Sequence, residues 1–497
     1  MRSIKCLIAA LISTLLFTAC HKEAESATIT LERNALYFSS WSDSAQSISY
    51  TTTGAQSVAI SSLSEGWSAS VNQANQTITI WPVGAVGEGI TEEDLPTEGS
   101  VVVNALNSDG KAVSGYIYVY IAQTETLDKE GSELANCYIV RKPAISYTFD
   151  AMHRPDGEPL DTKRVGLLWQ SNPGVVKNVN LADGKAIFYI DMTANNGTAL
   201  EDTNAVIAAY NAGGEIVWSW HLWITDSDYI DRIDSAINGS SFMHLNLGAF
   251  TNSNGSTDKT EIHDSYGMYY QWGRKDPFPR PYYHDASGGD NESRYDSQGI
   301  YIAEKYYERT AERGTVEYTI KHPMEFIFNS QNSEYNGDSG NGVGDWLTTS
   351  DNTLWGEESK SVYDPCPYGW RVPTSLDYQI FALNDDKTTN LPYETALAQF
   401  GWLLSDGATY VFYPACGRRR YIDGMVENMN HSDDMITQPR PWEGHYWTAS
   451  ATDEGLAKSL YFDLKTPSRA DTPVSQVARF RANGMQIRCV EDSPEKL

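Results

Sequence analysis

The residues best suited to chemistry in this 497-residue chain are six cysteines, an oxygen-rich loop and a run of arginines. The cysteines are Cys6, Cys20, Cys137, Cys366, Cys416 and Cys489. None has the CxxC or Cys/His spacing of a zinc site. Residues 332–345 (NSEYNGDSGNGVGD) carry Asn336, Asp338 and Asp345 among glycines. Hard oxygen donors in a flexible loop suit Ca²⁺, although the spacing matches no EF-hand, and a solvated acidic loop is the plainer reading. No other cofactor is expected. The triplet Arg418-Arg419-Arg420 is unusual in so acidic a chain, whose formal charge is −28. Planar guanidinium groups and flat rings either meet an anionic or aromatic-binding ligand or pair internally with surplus carboxylates. HExxH, GxSxG, Walker and GxGxxG words are absent from the sequence. Carboxylates are too abundant to single out a glycosidase pair. The chain therefore reads as non-enzymatic.

The elements that must carry these residues begin at the N-terminus. Arg2 and Lys5 precede an apolar stretch, Leu7 to Phe17, too short to span a bilayer as a helix. It ends in Leu16-Phe17-Thr18-Ala19-Cys20, which resembles a lipobox, with Cys20 acylated as the mature N-terminus. Several acyl chains are needed for durable anchoring, since each buried CH₂ contributes about 0.8 kcal/mol. Glu23 and Glu25 resemble the surface-export tag of Bacteroidetes lipoproteins. An outer-membrane, surface-exposed lipoprotein follows as the expected location. Loss of residues 1–20 removes two basic residues and no acid, taking the charge from −28 to −30. So acidic a chain repels nucleic acid and anionic membranes. Four cysteines remain in an oxidising compartment, and three pairings are open to them.

Residues 21–123 show short β-branched runs at 47–50, 57–60, 77–81, 101–103 and 116–121, bounded by Gly, Asn and Ser. Such spacing predicts an antiparallel sandwich. With Trp67 in "EGWSASV" and a last strand ending "YIAQ", the region resembles a BACON or related Ig-like module. Residues 124–134 (TETLDKEGSEL) are polar and read as a linker. Residues 135–228 are again β-rich. Ile216, Trp218, Trp220 and Leu222 share one face of a strand; Val217, Ser219, His221 and Trp223 share the other. Apolar groups on both faces predict a central strand. The words "ANCYIV", "NAVIAAYN" and "IVWSWHLWITD" resemble a domain of fimbrial-tip and cell-adhesion lipoproteins.

Residues 236–493 contain "FMHLNLGA", "YGMYYQWGRKDPF", "DPCPYGWRVPT", "YPACGRRR", "GHYWTAS" and "RANGMQIRCV". In this order they resemble the Fibrobacter succinogenes major paralogous domain and, through "WRVPT" and the terminal strand, a C-type-lectin-like scaffold. A helix is expected after Thr374, where Asp377 completes a capping box and Leu376, Ile380 and Leu383 share a face. A second is expected at 393–400. The scaffold implies a Cys366–Cys489 bridge and leaves Cys137 and Cys416 unassigned. It also implies a ligand surface near the last strands: Arg418, Arg419, Arg420, Tyr421, Trp442, His445, Tyr446, Arg479 and Arg481. Tyr446, Trp447 and Phe480 could instead be core, and for Trp447 that is the expectation. Asp43-Ser44-Ala45 and Asp234-Ser235-Ala236 resemble Bacteroidetes O-glycan acceptors, placing glycans on Ser44 and Ser235.

The expected whole is a mainly β, multi-domain protein: two Ig-like sandwiches followed by an α+β C-type-lectin-like domain with long loops. Its expected function is that of an adhesin, of fimbrial-tip type, binding a protein or glycan surface ligand and joining fimbrial subunits. The alternative is a glycan-binding lipoprotein for polysaccharide capture.

Overall fold

The computed structural model describes residues 26–84, 91–129, 131–191, 200–231, 233–237, 240–253, 256–281, 292–330, 344–378, 399–405, 410–427, 443–452, 455–464 and 474–492. The protein is mainly β and multi-domain, dividing into two compact units, Met1–Ile121 and Ala122–Leu497. No helix among the described residues is long and apolar enough to cross a membrane. Leu7–Phe17 and Cys20 lie outside the described residues.

The first unit is an Ig-like sandwich of eight strands: β1 (Thr28–Leu31), β2 (Ala35–Phe38), β3 (Gln46–Thr53), β4 (Ser57–Leu63), β5 (Trp67–Asn72), β6 (Thr77–Pro82), β7 (Glu98–Leu106) and β8 (Ala112–Ile121). The sheets run β1-β3-β6-β5 and β2-β8-β7-β4. Alternation does the sorting. On β8, Ile117 and Val119 are fully buried, while Tyr116 and Tyr118 point outward at 53% and 40% exposure. Ile48, Ile78 and Ile80 from one sheet meet Val101, Val103 and Val119 from the other in a single core. The leading segment is split between sheets: β1 pairs with β3, and β2 runs parallel to β8.

The second unit opens with a sandwich of the same strand order: β9 (Thr124–Thr126), β10 (Cys137–Val140), β11 (Ile145–Asp150), β12 (Arg164–Gln170), β13 (Val176–Ala182), β14 (Lys185–Ile190), β15 (Thr203–Tyr210) and β16 (Ile216–Ile224). Its sheets are β13-β14-β11-β9 and β10-β16-β15-β12. The expected linker therefore supplies a strand: β9 pairs parallel to β11 at Ser146↔Thr124, in the place that β1 takes, antiparallel, beside β3 in the first unit. Its three-residue, polar run gave no alternation to read, and its backbone bonds to β11 hold it.

β16 is central, between β10 and β15. One face, Trp218, Trp220 and Leu222, enters the sandwich core with Phe149, Phe188 and Ile207. The other does not face solvent. Trp223 joins Cys137, Trp169 and Val206 in a second core built with Met268, Trp272, Trp447 and Cys489 from the C-terminal region. The Trp223 indole N–H donates to the Ala249 carbonyl at 2.8 Å. Ser219 donates to Asp276 at 2.5 Å, and buried Lys275 donates to the same carboxylate at 2.7 Å. His221 donates from Nε2 to Asn204 at 2.9 Å and accepts from the Tyr270 hydroxyl on Nδ1 at 3.2 Å. Burial holds its pKa down at about 3, so it stays neutral.

Among its described residues the C-terminal region is a set of small sheets with two short helices, α1 (Lys259–Asp264) and α2 (Val316–Lys321). Its strands are β17 (Ile233–Ile237), β18 (Ser240–Met243), β19 (Tyr270–Gln271), β20 (Lys305–Glu308), β21 (Glu325–Phe328), β22 (Trp370–Arg371), β23 (Gly401–Ser405), β24 (Tyr410–Pro414), β25 (Arg418–Arg419), β26 (Val426–Glu427), β27 (Glu443–Ala451), β28 (Leu456–Asp463), β29 (Val474–Phe480), β30 (Gly484–Met485) and β31 (Val490–Glu491). Two four-stranded sheets, β17-β18-β31-β22 and β19-β30-β25-β26, carry the first and last strands of the region. The capping box at Thr374 forms: the Thr374 N–H donates to Asp377 at 2.7 Å and the Asp377 N–H to the Thr374 hydroxyl at 3.3 Å. Residues 375–378 are a turn; Ile380, Leu383 and most of the second expected helix lie outside the described residues.

Candidate functional site

Cys366 and Cys489 are bridged, 123 residues apart in sequence. The adjacent β22 and β31 pair at Arg371↔Val490, so strand pairing brings the two cysteines to one place. A cross-link over so long a loop stabilises by about 3–5 kcal/mol in the chain-entropy view. Cys137 and Cys416 are buried free thiols.

The expected ligand surface is largely interior. Arg419 is fully buried in a two-pronged pair with Glu304, at 2.6 and 3.2 Å, and donates to the Pro279 carbonyl at 2.9 Å. Arg481 is likewise buried, its guanidinium 3.5 Å from Asp345 and 4.2 Å from the Trp272 ring centroid. Tyr421 is buried edge-on against Phe480, and Tyr446 donates to the Pro414 carbonyl at 2.5 Å. Trp447 is core, its indole N–H bound to the Tyr270 carbonyl at 2.8 Å. Arg418 and His445 are buried too. His445 donates to Glu443 at 3.0 Å; burial, with the charges of Arg418 and Arg479 nearby, lowers its pKa and keeps it neutral. Arg420 pairs with Asp423, and Arg479 lies over the Tyr461 ring, both half-exposed. Trp442 lies outside the described residues. The physical reason is the surplus of carboxylates: buried arginines find internal acids, and a buried guanidinium without one is costly.

The oxygen-rich loop is placed only at its end. Asp345 is buried, accepts from the Leu347 N–H at 3.0 Å and faces Arg481; Asn336 and Asp338 lie outside the described residues. Ser44 is exposed in the turn before β3, where Asp43 accepts hydrogen bonds from Ser39 and Ser40. Ser235 falls within β17 rather than in a connecting loop.

An open cleft of about 1170 Å³ lies elsewhere, on the second unit. Its walls include Leu134, the Pro155-Asp156 turn, residues 357–362, Tyr368, Gly369, Arg371, Leu376, Asp377 and Asp492. Tyr368 and Leu376 stand into solvent at 54% and 65% exposure. Tyr368 sits on a tightly held turn. Cys366 is pinned by the bridge. The Asp364 carboxylate accepts from the Cys366 and Val372 N–H groups, both at 2.8 Å, and from Lys360 at 2.6 Å. Asn136 of the sandwich donates to the carbonyls of Val362 and Asp364, at 2.7 and 2.9 Å. Gly369 follows at φ +77° with open space around it, so the backbone conformation rather than crowding calls for glycine. The backbone beneath the exposed ring is thus fixed, which lowers the ordering cost of binding there.

The cleft's charge is negative. Five carboxylates, Asp156, Glu357, Glu358, Asp377 and Asp492, line it against Lys360 and Arg371. Both cations are engaged: Lys360 by Asp364, Arg371 by Asp377 at 2.9 Å and Asp492 at 3.8 Å. Tyr368 lies within "DPCPYGWRVPT" but is not among the expected ligand residues. The signal was there, an aromatic between Pro367 and Gly369 beside a bridged cysteine.

No protein-family model matches the chain, and no curated protein matches it. Among solved structures, local similarity is found to SGBP-B of the Bacteroides ovatus mixed-linkage glucan utilization locus in complex with a mixed-linkage heptasaccharide, at 8% identity over 39% of this chain and 43% of that one, TM-score 0.12. Protocadherin gammaB7 EC3-6 matches at 10% identity over 40% and 52%, TM-score 0.15. The fibronectin(III)-like modules of Clostridium thermocellum CbhA match at 11% over 40% and 93%, TM-score 0.13. The chain spans less than half the length of the glucan-binding protein. Scores this low carry nothing about the ligand of this chain.

Proposed function

We propose that this chain is a non-enzymatic, surface-exposed outer-membrane lipoprotein, anchored through Cys20, that acts as an adhesin of fimbrial-tip type. The cleft beside Tyr368 is the observation that carries the binding role. At about 1170 Å³ it exceeds the roughly 300–1000 Å³ of small-molecule sites, which favours a segment of polymer. Exposed Tyr368 is an anchor of the type enriched at interface hot spots, and exposed Leu376 adds apolar area. The test is an array of envelope and host-surface proteins and glycans probed with the mature chain and its Tyr368→Ala/Leu376→Ala variant. The reading expects hits that vanish in the variant and a bound ligand recovered chemically unchanged. Hits indifferent to the variant, or ligand turned over, would contradict it. Acylation is tested by palmitate labelling that disappears in Cys20→Ser, and exposure by protease shaving of whole cells.

One observation favours polysaccharide capture as a second reading. Tyr116 and Tyr118 lie on one outward face of β8, both exposed, while Tyr37 and Tyr120 stack on each other at 5.3 Å and are buried. Flat rings in a row suit stacking on sugars.

A further inference from the structure

We propose that the cleft takes an extended, cationic segment of another polypeptide, with a lysine or arginine side chain set against the Tyr368 ring and the Glu357 and Glu358 carboxylates. This rests on reading the cleft as the ligand site. Three features select the chemistry. The first is charge. Arg371 takes up Asp377 and Asp492, Arg154 takes up Asp156, and Asp364 takes up Lys360, so the free charge of the lining is that of Glu357 and Glu358. Glu357 and Glu358 are exposed, and no ion pair engages either among the described residues. The chain's net charge of −28 further favours approach of a cation and repels an anionic polymer.

The second is the aromatic. A cation over the face of an exposed tyrosine is attracted by the ring quadrupole, and carboxylates nearby add their own attraction. Tyr368 is held for this by the Cys366 bridge and the Asp364 hydrogen bonds.

The third is the apolar remainder. Leu134, Pro155, Val362 and Leu376 share the cleft with these charges. Sugar hydroxyls set against them would lose water without gaining partners. Alternate apolar side chains of an extended peptide would gain by burial there, while the basic ones reach the acidic rim.

The experiment uses the mature chain and three probes: a fluorescein-labelled decapeptide of alternating leucine and lysine, its leucine–glutamate counterpart, and cellohexaose. Anisotropy reads the peptides and calorimetry the sugar. The lysine peptide is expected to bind and the glutamate peptide not to. Binding should weaken about tenfold in Tyr368→Ala, and similarly in Glu357→Gln/Glu358→Gln. It should persist in Asp183→Asn/Glu312→Gln, which removes the same charge from exposed positions outside the cleft. Near-UV circular dichroism and Tm verify that each variant is folded. Equal weakening in the remote pair would reduce the effect to general acidity and overturn the proposal. Cellohexaose binding lost in Tyr368→Ala, with peptide binding indifferent to it, would keep the cleft as the ligand site and overturn the peptide. No probe dependent on Tyr368 would remove both.

Discussion

The two sandwiches share a strand order and differ in what becomes of one face. β8 and β16 hold the same place, each the last strand, each paired parallel to the second half of a split leading segment. Outward of β8 stand exposed Tyr116 and Tyr118; outward of β16 lie Ser219, His221 and Trp223, all buried. The same topology thus yields a solvated wall in one unit and a shared partition in the other. What decides it is composition. β16 carries apolar groups on both faces, and the C-terminal region covers the second with core residues around Trp223 and with polar partners for Ser219 and His221. Residues 122–497 consequently cluster as one compact unit.

The largest effect that could break this comparison is at Trp223. Trp223→Ala should cost about 3–5 kcal/mol of the second unit's stability by urea unfolding, as a large core truncation does. Tyr118→Ala, at the outward face of β8, should cost under about 1 kcal/mol in the first unit. Comparable losses would erase the distinction.

Arg481→Ala leaves Asp345 buried and unpaired and should cost about 3–5 kcal/mol. A folded Arg481→Ala that loses only ligand binding would restore the sequence expectation.

Smaller is the pH response. His221 has a folded pKa of about 3, below its ordinary 6.5, because it is buried. The unfolded chain binds a proton below pH 6.5 and the folded one does not until about 3, so its contribution is full above 6.5 and is lost as pH falls between those values. The share of this one group is about 1.4 kcal/mol per pH unit inside the window. His221→Gln should flatten the second unit's stability–pH slope by that amount between pH 6 and 4. The first unit's described residues hold no histidine, and its slope should not change.

The smallest effect expected is at Arg420, whose half-exposed pair with Asp423 is worth about 0–1 kcal/mol. Arg420→Ala should leave Tm within a few degrees of the parent.

Strands were legible wherever apolar residues alternated: the runs at 47–50, 57–60, 77–81 and 116–121 all fall inside β3, β4, β6 and β8. β16 was legible as central, and even its two faces were, but nothing local says what covers the second one. The arginines were legible as unusual. Their partners were not, because Glu304 lies 115 residues from Arg419 and Asp345 lies 136 from Arg481. Long-range pairing of this kind has no periodic trace. Tyr368 was hidden for the same reason: its setting depends on a bridge 123 residues long and on Asn136, just before β10.

Scanning calorimetry of the mature chain beside fragments 26–121 and 122–228 tests the central claim most directly. Two transitions are predicted for the whole, one reproduced by fragment 26–121, with fragment 122–228 lacking a cooperative transition because β16 would expose Trp223. A third transition, matched by a folded 122–228 fragment, would contradict the shared core.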